Sequence, residues 1–107
     1  MFVKRVIVCV WLTLCPLLLQ AAGDPLAGEH KARPCAVCHG NEGISISPLF
    51  PNLAGQKEAY IVSSLQAFRS EERRGGSAEI MWGQAANLAD EDIADLAAYF
   101  SSLQPDQ

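Results

Sequence analysis

The chain has 107 residues, a length that accommodates one domain, and half of those residues are hydrophobic. Twelve acidic residues outnumber eight basic ones, and two of the basic residues, Lys4 and Arg5, lie in a segment that we expect to be removed. Six basic and twelve acidic residues then remain, a formal charge of −6, which argues against nucleic acid as a partner.

The N-terminal segment has the layout of a secretory signal peptide. Residues 6–19 form an apolar run that follows the two basic residues and leads into small residues ending at Gly23. We predict a signal peptide over residues 1–23, cleaved after Gly23, and a mature domain over residues 24–107 in the bacterial periplasm. An uncleaved anchor is the alternative, although the run is shorter than the roughly 20 residues of a spanning helix. A lipid anchor at Cys15 is disfavoured by the large leucine before it.

The mature chain predicts an all-α domain with three main short helices. Helical periodicity and capping signals place these helices at about residues 26–33, 56–72 and 90–103. Asp24 is the expected N-cap of the first helix. We expect that helix to end or kink at Pro34, because the proline ring opposes the carbonyl group four residues earlier.

Two long segments, residues 40–55 and 75–88, show no helical periodicity. Loops of this length are uncommon in a compact domain unless they wrap a ligand. Alternation over residues 44–47 leaves a short β-hairpin as the alternative. The large apolar residues scattered through the two segments suit an apolar cofactor better: Ile44, Ile46, Leu49, Phe50, Leu53, Ile80 and Trp82. A cofactor would also complete the thin core of so short a mature chain.

Cys35, Cys38 and His39 form a C-x-x-C-H motif, the signature of covalently attached c-type haem. Two thiols three positions apart can each reach one vinyl group of the porphyrin, and the next imidazole can bind the iron. A structural zinc site needs four ligands, and only His30 is spare. A redox dithiol is expected after a strand, and none is predicted here. We therefore predict one covalently attached haem c.

Met81 is the predicted second axial ligand of the haem iron, opposite His39. It is the methionine that remains after the signal peptide is removed, and it lies 42 residues beyond His39. A thioether is one of the ligands that haem proteins place in this position. His30 is the competitor, but it precedes the attachment motif on the side of His39, and we expect it to be exposed. If Met81 does not bind the iron, a ligand-binding or sensing haem domain is the alternative function.

These features resemble class I c-type cytochromes, in particular the small bacterial monohaem type and the single domains of dihaem bacterial cytochromes. The resemblance covers most of residues 26–104 and is carried by CAVCHGNEG (35–43), FPNLAGQKEAYI (50–61), the segment with Met81 and NLADEDIADLAAYFSSL (87–103). It implies the cytochrome c fold, with three main helices and long loops around one haem. The chain departs from the family at Pro34, which interrupts the first helix. It also departs at Ala89, where a missing Ser or Thr cap costs about 1 kcal/mol.

The resemblance also implies roles for individual residues around the haem. The carbonyl oxygen of Pro51 would accept the Nδ1–H of His39, which fixes the tautomer of that ligand. The side chains implied to lie against the haem are those of Leu53 and Tyr60. The side chains implied to help the last helix cross the first are those of Leu96 and Tyr99.

Together these features predict a one-electron carrier that is not an enzyme. Its expected partners are membrane or periplasmic oxidoreductases, met as a monomer or in weak transient complexes, with no membrane span after cleavage. A dedicated haem subunit of a dehydrogenase or reductase complex is the alternative. Two charged clusters are either solvated faces or docking sites: a basic one of Lys57, Arg69, Arg73 and Arg74, and an acidic one of Asp90, Glu91, Asp92 and Asp95.

Overall fold

The computed structural model describes residues 2–3, 6–11 and 22–105. This part of the chain contains five helices and no strand, which confirms the all-α class: α1 (Pro25–Lys31), α2 (Arg33–His39), α3 (Glu58–Arg69), α4 (Ala78–Ala85) and α5 (Asp90–Ser102). None of these helices is long and apolar enough to cross a membrane. Much of the predicted signal peptide, residues 12–21 with Cys15, lies outside the described residues. The signal peptide, its cleavage and the domain boundary therefore stay predictions.

The helix is interrupted between α1 and α2 close to the predicted point, but Pro34 lies in the first turn of the second helix and does not end the first. Asp24 caps α1 as predicted, since its side chain accepts the Leu26 backbone N–H at 2.9 Å. α1 ends at Lys31, and Pro34 occupies the first turn of α2. Proline is tolerated there because the first N–H groups of a helix have no partner within the helix. The whole attachment motif is therefore helical.

Helices α1 and α5 cross at very short range, and we call this contact the helix crossing. Gly28 is buried there, and a Cβ atom at this position would lie 2.0 Å from the carbonyl oxygen of Asp95 and 2.7 Å from Cβ of Tyr99. Only glycine allows two helix backbones to approach so closely. Leu96 is buried beside Ala32 in the same contact, so the implied positions of Leu96 and Tyr99 are found in the structure.

The helix crossing also carries a polar network around Asp95, which is buried. The Lys31 ammonium donates to Asp95 Oδ2 at 2.6 Å and lies 2.9 Å from Asp92 Oδ1. The Asp24 backbone N–H donates to Asp95 Oδ1 at 2.8 Å. The Lys31 hydrogen bond, followed by that from Asp24, holds the pKa of Asp95 below its ordinary value. Because a buried charge must be paired, this network fixes where α1 meets α5.

The buried core built by the polypeptide is small. Its main cluster consists of Ala32, Ile61, Leu96, Ala97 and Phe100. Among the described residues, the largest side chains that are fully buried are Ile93 and Leu96. A core with so few large side chains agrees with the expectation that a cofactor completes it.

Helix α3 begins and ends inside its predicted range. It ends at Arg69, and Glu71 then adopts a left-handed conformation with φ 61°. The backbone N–H groups of Glu72 and Arg73 both donate to the carbonyl oxygen of Ala67, at 2.9 and 3.2 Å. These bonds satisfy a carbonyl at the helix end, so the helix ends three residues before the end of its predicted range.

Helix α4 is the main departure from the prediction, because residues 75–88 were expected to be irregular. Its buried residues are Ala78 and Ala85, which lie seven positions apart on one face. A face made of alanines gives no periodic signal among large apolar residues. Helix α5, in contrast, matches its predicted range within one residue. At its start, the Ala89 N–H donates to Asp92 Oδ2 at 2.8 Å, so half of a capping box is present.

Residues 40–57, which we call the attachment loop, connect α2 to α3 without regular structure. The hairpin alternative for residues 44–47 is therefore wrong. The Gly43 carbonyl oxygen accepts the backbone N–H groups of Leu53 and Ala54 at 2.8 and 3.0 Å. The Gly55 N–H donates to the Phe100 carbonyl at 2.9 Å. These hydrogen bonds hold the C-terminal part of the attachment loop against its N-terminal part and against α5.

Candidate haem-attachment site

Helix α2 presents the two cysteines of the motif. Residues three positions apart are neighbours on one side of a helix, so Cys35 and Cys38 lie close together along α2. Neither forms a disulfide with a cysteine among the described residues, and both are partly buried. Cys35 packs against the core cluster, and this burial raises the pKa of its thiol. Two adjacent thiols on one helix suit attachment to two substituents at one edge of a planar group.

His39 is the last residue of α2, and its ring is oriented by the attachment loop. The side chain is buried, and Nδ1 lies 2.7 Å from the carbonyl oxygen of Pro51. Because a carbonyl only accepts hydrogen bonds, Nδ1 carries the proton and donates. In the neutral ring, this hydrogen bond leaves the other nitrogen, Nε2, with a lone pair that can bind a metal ion. The contact implied for His39 and Pro51 is therefore present, whereas iron binding by His39 stays a prediction.

Two polar residues of the attachment loop hold the segment that carries Pro51. The Ser45 N–H donates to Asn52 Oδ1 at 2.7 Å, and the Ser45 hydroxyl donates to the Cys38 carbonyl at 3.1 Å. Sequence reasoning did not single out Ser45 or Asn52. Serine, asparagine, glycine and proline cluster in the residues that follow the motif, and such clusters are typical of turns. This composition could have suggested that Ser45 and Asn52 shape the loop.

Met81 lies on α4 and is partly buried. It thus sits on a helix and not in the irregular segment where the sequence placed it. His30 is exposed on α1, as predicted. α4 packs against α3, so the position of Met81 depends on the contact between these two helices.

The two predicted haem-pocket residues differ in exposure. Leu53 is partly buried and packs against the core cluster. Tyr60 is half exposed on α3, and a hydrogen bond with Ser64, followed by the charge of Arg73, lowers the pKa of its phenol. Their contact with a haem stays a prediction.

Apolar side chains of the two long segments are unusually exposed. Ile46 and Leu49 of the attachment loop are 102% and 76% exposed, and Ile80 of α4 is 52% exposed. Such side chains suit contact with a large apolar group. The thiol pair, an imidazole with one nitrogen free to bind metal, and this apolar set together fit a covalently attached haem.

Several residues of the two charged clusters form ion pairs within the chain. Arg69 of the basic cluster pairs with Asp90 of the acidic cluster at 2.8 Å. Asp92 and Asp95 pair with Lys31 in the helix crossing. The acidic cluster therefore contributes to the fold, and it is not simply a solvated face.

Comparison with known proteins gives consistent matches. The family model described as "Cytochrome c" matches residues 27–104. Cytochrome c-554(548) of Halomonas halodenitrificans is 51% identical over 83 residues, which cover 78% of this chain and 100% of that protein.

Solved structures give matches of the same kind. Reduced recombinant cytochrome c4 from Pseudomonas stutzeri aligns with a TM-score of 0.68 and 40% identity, covering 78% of this chain and 47% of that one. Thiosulfate dehydrogenase (TsdBA) from Marichromatium purpuratum aligns with a TM-score of 0.71 and 32% identity, covering 77% of this chain and 20% of that one. The chain thus spans the whole of one relative, about half of the second and a fifth of the third.

Proposed function

The chain belongs to the cytochrome c family, and we propose that it is a periplasmic one-electron carrier whose haem iron is held between His39 and Met81. It carries one covalently attached haem c, and it is an electron carrier, not an enzyme. The axial ligands, the haem-pocket residues, the periplasmic location and the partners are the proposed parts. The observation that carries the proposal is the 2.7 Å contact between His39 Nδ1 and the Pro51 carbonyl oxygen, directly after the cysteine pair.

Each residue of the site has a distinct task in this function. When bound, the haem supplies an iron that gains and loses one electron. Cys35 and Cys38 hold it through two thioethers. His39 gives its Nε2 to the iron while Pro51 fixes the tautomer and raises the basicity of the ring. Met81 gives a soft thioether that favours reduced iron and so raises the reduction potential.

The apolar residues complete the site by excluding water. Leu53 and Tyr60 would lie against the bound haem, together with exposed side chains of the attachment loop. A dry site with two fixed axial ligands changes little between oxidation states, which suits fast electron transfer. It also leaves no open coordination position for oxygen or carbon monoxide, so these gases bind only after an axial ligand has left the iron, and their binding is slow.

Met81→Ala tests the proposed ligand. The oxidised wild-type protein is expected to show the weak near-infrared charge-transfer band of a sulfur–iron bond, and the reduced protein to bind carbon monoxide slowly. Met81→Ala removes the band, lowers the potential and opens the iron to carbon monoxide. Met81→His keeps the iron six-coordinate at a lower potential. An unchanged spectrum and potential in Met81→Ala would make Met81 a packing residue and favour a ligand-binding haem.

The periplasmic location rests on the signal peptide predicted for residues 1–23. Cleavage after Gly23 gives a mature protein that begins at Asp24 and carries one haem that acidified organic solvent does not extract. Intact mass spectrometry of the protein from a periplasmic extract checks both statements. A mass that retains residues 1–23, or a lipid on Cys15, would replace the soluble carrier with an anchored one.

A second candidate is a carrier that serves a particular dehydrogenase. The similarity to part of thiosulfate dehydrogenase (TsdBA), and to proteins named thiosulfate dehydrogenase electron acceptor, favours this form of the function. Oxidised protein mixed with a thiosulfate dehydrogenase and thiosulfate should then be reduced at a rate that rises with its concentration. Reduction no faster than that of an unrelated cytochrome would remove this candidate and leave the general carrier in place.

A further inference from the structure

Helix α4, which carries Met81, has few apolar contacts to hold it. Its buried residues are two alanines, Ala78 and Ala85, whose side chains bury little apolar surface. Among the helices, α3 is the one against which it packs. A helix with so small a buried face needs other contacts to fix its position.

The first such contact is made by Trp82, the residue next to Met81. Its indole Nε1–H donates to the carbonyl oxygen of Arg73 at 2.8 Å. The guanidinium carbon of Arg74 lies 5.7 Å from the centre of the indole ring, within the range of a cation–π contact. Trp82 therefore ties α4 to the segment that follows α3.

That segment is itself fixed. The guanidinium carbon of Arg73 lies 4.7 Å from the centre of the Phe68 ring on α3. The Arg73 backbone N–H donates to the carbonyl oxygen of Ala67 at 3.2 Å. The carbonyl group that receives the Trp82 hydrogen bond thus belongs to a residue held at both its side chain and its backbone.

The second contact lies beyond the C-terminal end of α4. Arg69 of α3 donates from Nη1 to the Leu88 carbonyl oxygen at 3.0 Å and from Nη2 to Asp90 Oδ1 at 2.8 Å. Asp90 is 84% exposed, so this ion pair is screened by solvent and contributes little. The bond to Leu88 is partly buried and fixes the backbone between α4 and α5.

We propose that Trp82 and Arg69 are positioning residues that hold α4 so that the Met81 thioether stays on the haem iron. This inference rests on the proposed function, in which Met81 is an axial ligand. The arginines of the basic cluster then act inside the domain. Arg73 accepts the hydrogen bond from Trp82 in the middle of α4, and Arg74 covers the indole. Arg69 holds the backbone just beyond the C-terminal end of α4. Lys57, the fourth member, makes no side-chain hydrogen bond or ion pair with the described residues, and it has no part in this arrangement.

The proposal has a measurable consequence for ligands that compete with Met81. Imidazole binds the oxidised iron only when the thioether has left it, so its apparent affinity is proportional to the population of the dissociated state. Removing a contact that favours the bound state raises that population. One hydrogen bond of this kind corresponds to a roughly three- to tenfold change.

The experiment measures imidazole binding to oxidised holoprotein by absorbance titration. Trp82→Phe keeps an aromatic ring but removes the N–H donor, and Arg69→Gln removes the guanidinium. Each is expected to bind imidazole about three- to tenfold more tightly, so that a given imidazole concentration removes more of the near-infrared band than it does in wild type. Lys57→Gln removes the same charge from the same cluster and is expected to leave both unchanged. Equal effects in Lys57→Gln, or no effect in the two test variants, would overturn the proposal.

A double-mutant cycle separates positioning from other effects. In a Met81→Ala background the thioether is already absent, so Trp82→Phe is expected to leave imidazole affinity unchanged. The same gain in that background would show that Trp82 acts on the pocket and not through Met81. If Met81→Ala alone neither removes the near-infrared band nor raises imidazole affinity, the proposed axial ligand fails. That result is distinct from failure of the positioning role.

Discussion

The helix crossing and the attachment loop differ in what holds them together. At the helix crossing, Gly28 touches the backbone of Asp95, and the Asp95 carboxylate is paired with Lys31. The attachment loop relies on single hydrogen bonds, such as that from Ser45 to Asn52, and exposes large apolar side chains such as Leu49. The polypeptide alone specifies the first region, whereas the second is specified together with the haem.

This difference assigns stability and function to separate parts of a small domain. The helix crossing lies between the first and last helices and carries no proposed iron ligand. The attachment loop carries Pro51 and follows His39 directly. Changes at the helix crossing should therefore alter the free energy of unfolding first, and changes in the attachment loop should alter the haem environment first.

The largest effect on stability is expected when the protein cannot attach its haem. Replacing Cys35 and Cys38 together by alanine should give a chain without cooperative thermal unfolding, because the buried apolar area is too small to offset chain entropy. Circular dichroism on heating checks this against the wild-type holoprotein. Residual protection from hydrogen exchange should be confined to α1 and α5. A sharp transition in the haem-free variant would contradict the view that the cofactor completes the core.

Gly28→Ala tests the helix crossing directly. Its Cβ would lie 2.0 Å from the Asp95 carbonyl oxygen, so the two helices must separate, and the free energy of unfolding should fall by about 3 kcal/mol. Denaturant unfolding of the holoprotein measures the change. Gly83→Ala is the matched control, since a Cβ on Gly83 of α4 meets no atom within 4 Å. It should be neutral or slightly stabilising, and equal losses in both variants would refute the close-contact argument.

The Asp95 network predicts how the helix crossing responds to pH. Lys31 holds the pKa of Asp95 below its ordinary value. A depressed folded-state pKa stabilises the protein above the unfolded-state pKa, about 3.9, and this stabilisation is lost as the pH falls through the lower folded-state value. The unfolding free energy of wild type should therefore fall more steeply below about pH 4 than that of Asp95→Asn.

The control for this pH dependence is Asp90→Asn. Asp90 pairs with Arg69 but is 84% exposed, so solvent screens the pair. Urea unfolding of this variant between pH 2 and pH 7 should give nearly the wild-type curve. If Asp95→Asn also follows the wild-type curve, the network does not stabilise the crossing.

Asn52→Ala tests the attachment loop. Loss of the Asn52–Ser45 hydrogen bond, worth about 1 kcal/mol, should loosen the loop locally. Amide hydrogen exchange of Leu53 and Ala54 should become roughly fivefold faster while that of Ala97 in α5 stays the same. Asn41→Ala, an exposed change in the same loop, serves as the control. Faster exchange at Ala97 would show that the two regions are not separate.

The smallest effect is expected from Ala89→Ser at the start of α5. Ala89 has the extended backbone of an N-cap residue, and the half capping box lacks the side-chain oxygen that serine supplies. The free energy of unfolding should rise by about 1 kcal/mol, with no change in reduction potential. Ala86→Ser, at the exposed end of α4, should give no gain. A changed reduction potential in Ala89→Ser would show that α5 and the haem environment are coupled.

The sequence predicted those features whose signal is local. The attachment motif is a contiguous pentapeptide, and α5 has large apolar residues at helical spacing, so both were found. Helix α4 was missed because its buried face consists of Ala78 and Ala85. The roles of Gly28 and Arg69 depend on residues 67 and 19 to 21 positions away, at Asp95 and at Leu88 and Asp90, and no local pattern reports such contacts.

The bond between the Asp24 N–H and Asp95 has a consequence for maturation. Cleavage after Gly23 would turn that amide nitrogen into the α-ammonium group of the new N-terminus, 2.8 Å from a carboxylate oxygen. Processing would then replace a neutral hydrogen bond by an ion pair and raise the pKa of the new amino group above its ordinary value, about 7.7. Removal of the signal peptide would thereby strengthen the contact between the N-terminus and Asp95 and stabilise the mature fold. Titration of the α-amino group in the mature protein and in Asp95→Asn measures this change, and equal pKa values would exclude it.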